Sequence, residues 1–146
     1  KMMSLKLGIK KYNKNNKILI DKLYYLMVKY KADYTNTFKA LSTNTDLNHE
    51  LFRANDFIIW KNDWKRNIQF EQNKLNILHS MKNYNPSVIP RNHLVENALE
   101  KAIKNDLSDY KKLLNLIHKP YDYSADLKFQ SVPDGYDKTY KTFCGT

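Results

Sequence analysis

Between Phe57 and Met81 the large apolar side chains stand at Phe57, Trp60, Trp64, Ile68, Leu75, Leu78 and Met81. Steps of three and four gather residues on one face of a helix and scatter them over both faces of a strand. The stretch 56–83 therefore reads as one long helix, or as two with a break where the period lapses around Phe70–Asn73. Trp60 and Trp64 stand four apart and share that face. Two indoles so placed suit core packing first, and a base-stacking platform as the sharper alternative.

The same period recurs along the chain. Leu19, Leu23, Leu26, Met27 and Tyr30 predict a helix over 17–31, with Lys29 and Lys31 in a last turn whose dipole favours cations. Asp33 is placed to cap a short helix carrying Tyr34, Phe38 and Leu41, and Thr45 or Asp46 to cap another. Residues 1–8 read as the end of an element stopped at Gly8, and 9–17 as a polar loop. Pro86 and Pro90 push Asn85 and Ile89 out of the helical region. Pro90 suits the first helical position of a stripe built from Leu94, Val95, Ala98, Leu99, Ala102 and Ile103. Ser108 is a natural cap for a last helix carrying Leu113, Leu114 and Ile117, which Pro120 ends. From Tyr121 the period fails, a Pro-Asp-Gly turn stands at 133–135, and six aromatic residues call for burial along the surface. The expectation is an all-α fold of about six or seven helices in an orthogonal bundle. It is one domain over 1–146, with an extended irregular tail over 121–146 packed on it.

Charge and composition narrow the function. The formal net charge is +10, and nine of the 25 basic side chains lie in residues 1–31, opposed there by Asp21 alone. So local an excess, in a chain rich in Lys and Asn throughout, describes a solvated face better than a nucleic-acid footprint. The alternative is an independent basic helical module that binds nucleic acid or an acidic protein through residues 1–31. No apolar run reaches the roughly 18 residues of a membrane span. One cysteine, Cys144, allows no internal disulfide, and a cytoplasmic setting is expected. Three scattered glycines cannot build a phosphate loop. His49, His79, His93 and His118 lack the i, i+4 spacing of a zinc site and read as surface or capping residues. Taken alone, these residues spell a helical domain with no visible catalytic group, no metal site and no cofactor site.

Several segments in order resemble the C-terminal portion of the selenoprotein O family. They are "ADYTNTFKAL" (32–41), "NPSVIPRNHLVENALEKA" (85–102), "LLNLIHKPYD" (113–122) and "YKTFCGT" (140–146). The resemblance implies a parent enzyme with a kinase-like fold. Such an enzyme uses ATP and Mg (or Mn) to transfer AMP onto protein hydroxyl side chains, binding the nucleotide in reversed orientation. The ATP and metal residues of that family lie in its kinase-like part, and none of their motifs occurs in this sequence. The resemblance therefore implies a C-terminal helical fragment, inactive alone, whose partners are the missing kinase-like part of the same chain and the parent's protein substrates. Family members place selenocysteine or cysteine third from the C-terminus, where Cys144 stands. That gives Cys144 a redox role, pairing with a cysteine in the catalytic part. Arg91 and Asn92, expected in the first turn of their helix where a cation is electrostatically out of place, become the residues for an interdomain contact.

Overall fold

Caps and left-handed residues decide where each helix starts and stops. The computed structural model describes residues 2–10, 13–124 and 129–131, which hold eight α-helices and no strand. They are α1 (Met2–Lys6), α2 (Lys14–Lys29), α3 (Tyr34–Thr43), α4 (Glu50–Arg53), α5 (Asn55–Asn67), α6 (Phe70–Lys82), α7 (Asn92–Ile103) and α8 (Ser108–Ile117). The all-α expectation holds: 56–83 divides into α5 and α6, the two-helix option of the sequence reading, and α1, read only as the end of an element, brings the count to one more than seven. The break comes slightly before the expected gap, at Gln69 with φ +51, and Asn73 adds a kink inside α6.

Several boundaries differ from the sequence reading. α2 begins at Lys14, not Lys17, because the Asn13 carboxamide accepts the Asn16 N–H. It ends at Lys29, and Lys31 takes φ +51. Asp33 caps α3 as expected, accepting from Asn36 N–H at 2.7 Å. α3 reaches ten residues, and the hydroxyls of Thr37, Ser42 and Thr43 are satisfied inside it by earlier carbonyls, Thr37 by Asp33 and Ser42 by Phe38. α4 is capped by His49, whose Nδ1 accepts from Leu51 N–H at 3.1 Å, in place of Thr45 or Asp46. Arg91, not Pro90, stands at the start of α7: its ψ of 133° is extended, so Asn92 is the first helical residue. Ser108 is inside α8, and Asp106 Oδ1 accepts its N–H.

The chain divides into two compact units. The first comprises Lys1–Ser87 with Pro120–Tyr123. In it α2 packs on α5, α3 on α6, and α1 on α2 and α6. Its core joins Leu23, Leu26, Phe38, Leu41, Phe57, Trp60, Trp64, Phe70 and Met81. Trp60 and Trp64 are both 0% exposed and stack in parallel at 5.9 Å, with their indole N–H groups donating to Leu19 O and Leu7 O. They are core, and a base has no access to them. Gly8 takes φ +68 beside them, and a Cβ there would meet Ile77 Cγ2 at 2.8 Å, so only glycine ends α1 this way. The second unit comprises Val88–Lys119 with Ser124–Thr146, and in it α7 packs on α8. The proline-bounded stretch carries the boundary. No helix among the described residues is long and apolar enough to cross a membrane. The Pro-Asp-Gly turn and most of the tail lie outside the described residues.

Candidate functional site

A buried polar cluster of the first unit forms where α6 runs into the Asn85–Pro86 stretch. Asn85 is fully buried. Its Nδ2 donates to Lys6 O and to Ser42 Oγ, both at 2.8 Å. Its Oδ1 accepts from Lys6 Nζ at 3.3 Å, and the same ammonium donates to Tyr84 O at 2.8 Å. One carboxamide thus ties α1, α3 and the end of α6 together. Lys6 also lies 5.8 Å and 5.6 Å from the ring centres of Tyr34 and Phe38. Burial pushes its ammonium below the ordinary lysine value.

The segment after α8 closes on this cluster. Tyr123 OH donates to Asn85 O at 2.7 Å, and its ring lies 5.8 Å from Lys39 Nζ and 5.1 Å from Lys82 Nζ. Burial pushes the phenol upward, so it stays a donor. Ser87 N–H donates to Pro120 O at 2.7 Å, and Ser87 Oγ to Asp122 O. The Asn-Pro-Ser spelling therefore pins two distant pieces of backbone. The Ser87 and Ser42 hydroxyls are both spent on carbonyls, at Asp122 and Phe38, which suits a clamp and leaves neither poised as a nucleophile.

In the second unit Arg91 is the N-cap residue of α7, and its guanidinium donates to the buried Gln130 at its carbonyl, 3.4 Å away. Asn92 is exposed. His93 sits one residue on, lowered from the ordinary imidazole value by burial and then by the Arg91 charge. Arg91 and Asn92 are adjacent as expected, but it is Arg91's contact with its own unit that the structure shows. Cys144 lies outside the described residues. No group of three His, Cys, Asp or Glu side chains that could hold a metal exists among the described residues. The Asn85 clamp escaped sequence reasoning, since its members come from four places in the chain, and asparagine is a residue type usually left at the surface.

The family model described as "Protein adenylyltransferase SelO" matches residues 1–118. Proteins named protein nucleotidyltransferase YdiU are similar over almost the whole chain. Those of Bacillus thuringiensis strain Al Hakam and of Bacillus cereus are each 44% identical, and that of Bacillus thuringiensis subsp. konkukian is 45% identical. Each alignment covers 99% of this chain and 30% of the relative. The chain thus spans about a third of the length of these relatives.

Proposed function

The chain belongs to the SelO family of protein adenylyltransferases, and from that premise we propose that it is the helical, structural part of an enzyme that transfers AMP from ATP to protein hydroxyl side chains. The observation that carries this reading is the 44% identity over 99% of the chain to nucleotidyltransferases of which it spans 30%. The clamp around Asn85 supports a framing role, because its donors and acceptors hold backbone. On this reading ATP and Mg (or Mn) belong to a kinase-like part of the longer protein, which is also the partner of these helices. Protein substrates are the parent's, and the setting is cytoplasmic. Cys144 is proposed to pair with a cysteine in that catalytic part, and Arg91 and Asn92 to meet it. A thiolate exchanges a disulfide only where it is accessible, so the pairing is tested by non-reducing mass spectrometry of a full-length relative.

Nothing favours the basic-module alternative. Among the lysines of residues 1–31, Lys6 is drawn into the Asn85 clamp, Lys17 pairs with Asp21 and Lys29 with Asp56. The deciding experiment follows AMP from labelled ATP onto a protein mixture with Mg²⁺ or Mn²⁺ present. The full-length Bacillus cereus relative should label, and its truncation without the matching helices should lose activity. This chain alone should give no label. Labelling by this chain unaided would overturn the structural role.

A further inference from the structure

A pocket apart from the Asn85 clamp opens in the first unit where the ends of α1 and α5 meet the starts of α2 and α6. Its volume is about 460 Å³, within the range of small-molecule sites. Of the side-chain carboxamides that line it, Asn13 is spent on capping α2 and Asn16 is buried. Those of Asn67 and Gln69 are exposed to water and that of Asn73 is half-buried, so all three are open to a ligand from the solvent side. Ile77, which is buried, and Ile68, which is half-buried, add an apolar wall. Among the described lining residues Lys10 alone is charged.

The backbone around the pocket is unusual as well. Gln69 takes φ +51, Asn73 leaves helical geometry at φ −133, ψ 23, and Gly8 takes φ +68. Left-handed and off-helix residues cost free energy and gather at ligand sites. Here they carry two of those three carboxamides, in a helix that an uninterrupted period would have left straight.

A carboxamide presents one donor and one acceptor on a single edge. That edge complements the adjacent N–H donor and ring-nitrogen acceptor of adenine, the pairing by which Asn and Gln read this base. Apolar side chains complement the faces of a flat ring. A half-open cavity of this size, lined without carboxylates among its described residues, suits a small neutral heterocycle. We propose that this pocket binds a purine nucleoside, with Asn67, Gln69 and Asn73 meeting the edge of the base and Ile68 and Ile77 its face. The inference stands apart from the adenylyl-transfer reading and survives or fails without it.

The test is titration of the ¹⁵N-labelled chain with adenosine, following side-chain amide signals. Saturable shifts at Asn67, Gln69 and Asn73 are expected, with a dissociation constant on the order of 1 mM or tighter. The double variant Asn67→Ala with Gln69→Gly removes two carboxamides, and glycine suits the positive φ at 69. With an otherwise unchanged spectrum it should bind at least about tenfold more weakly. No saturable shift up to about 10 mM adenosine, an equal response from the double variant, or a response to tri-alanine in place of adenosine would each overturn the proposal.

Discussion

At Asn85 a single side chain does what three separate contacts would otherwise have to do. It donates to Lys6 O and Ser42 Oγ and accepts from Lys6 Nζ, with no exposure to water. Removing it strands buried acceptors, and stranded polar groups cost more than the net worth of the bonds they made. Asn85→Ala should therefore lower the unfolding free energy by about 3 kcal/mol in urea titration. Leu75, 83% exposed on α6, supplies the contrast: Leu75→Ala should stay within about 0.5 kcal/mol of the parent. Equal losses at the two positions would mean that the clamp adds nothing beyond general packing. Residue type alone pointed the wrong way for both, since asparagine is usually a surface residue and leucine usually a core one.

Among the elements, α2 and α5 are held by packing and by one charged latch. Lys29 donates to Asp56 at 2.7 Å, and Tyr30 OH donates to the same carboxylate at 3.0 Å. The Lys29 hydrogen bond, foremost, holds the Asp56 carboxyl below its ordinary value of 3.8, and Tyr30 adds to it. A carboxyl with a depressed folded-state pKa stabilises the fold above its unfolded value and loses that contribution as pH falls through the folded one. Melting points followed by circular dichroism should thus fall between about pH 5 and about pH 2. Asp56→Asn should be less stable at neutral pH and should fall less across that acid range. Parallel curves for the two proteins would show that the latch is not linked to folding. Asp106 and Asp109, also depressed, keep part of the slope in the variant. The latch was invisible in the sequence, where its members are 27 positions apart. What was legible was local. Asp33 announced α3 because a short acceptor before a periodic run has few other uses. Gly8 announced the end of α1 because glycine takes a positive φ without strain. Asn13 was lost among neighbouring asparagines, and His49, read as a surface or capping residue, was passed over for Thr45 or Asp46 at the start of α4 because imidazole seldom caps. Pro90 misled by one step: its ring permits the first helical position, yet the extended Arg91 after it moves the start to Asn92. Asn13 and Asn16 fell in the expected loop over 9–17, and Asn67, Gln69 and Asn73 in the helical block 56–83 or its break; nothing local marked them, because their convergence is tertiary.

For the molecule as a whole, the two units differ in how much apolar surface they bury. The core around Trp60 and Trp64 joins buried side chains from α2 to α6 in the first unit. In the second, the buried apolar side chains among the described residues are Val88, Ala98 and Leu113. The six-residue stripe of α7 is correctly periodic, yet within it Ala98 alone is buried, and Ile103 is 84% exposed. Periodicity reports which face of a helix is apolar; it does not report whether anything covers that face. Stability follows burial at about 25 cal/mol per Å², so the second unit should open first. Both tryptophans lie in the first unit, while helicity reports on both, so the two signals separate the units without any label. In urea, far-ultraviolet ellipticity should begin to fall at lower concentration than tryptophan fluorescence changes, and the early loss should match the share of helix in α7 and α8. Amide exchange should rank the same way, fastest in α7 and α8 and slowest through α5. Superimposable transitions would show instead that the chain unfolds as one cooperative body. The thin core of the second unit would then have to be sustained by interactions beyond those buried side chains.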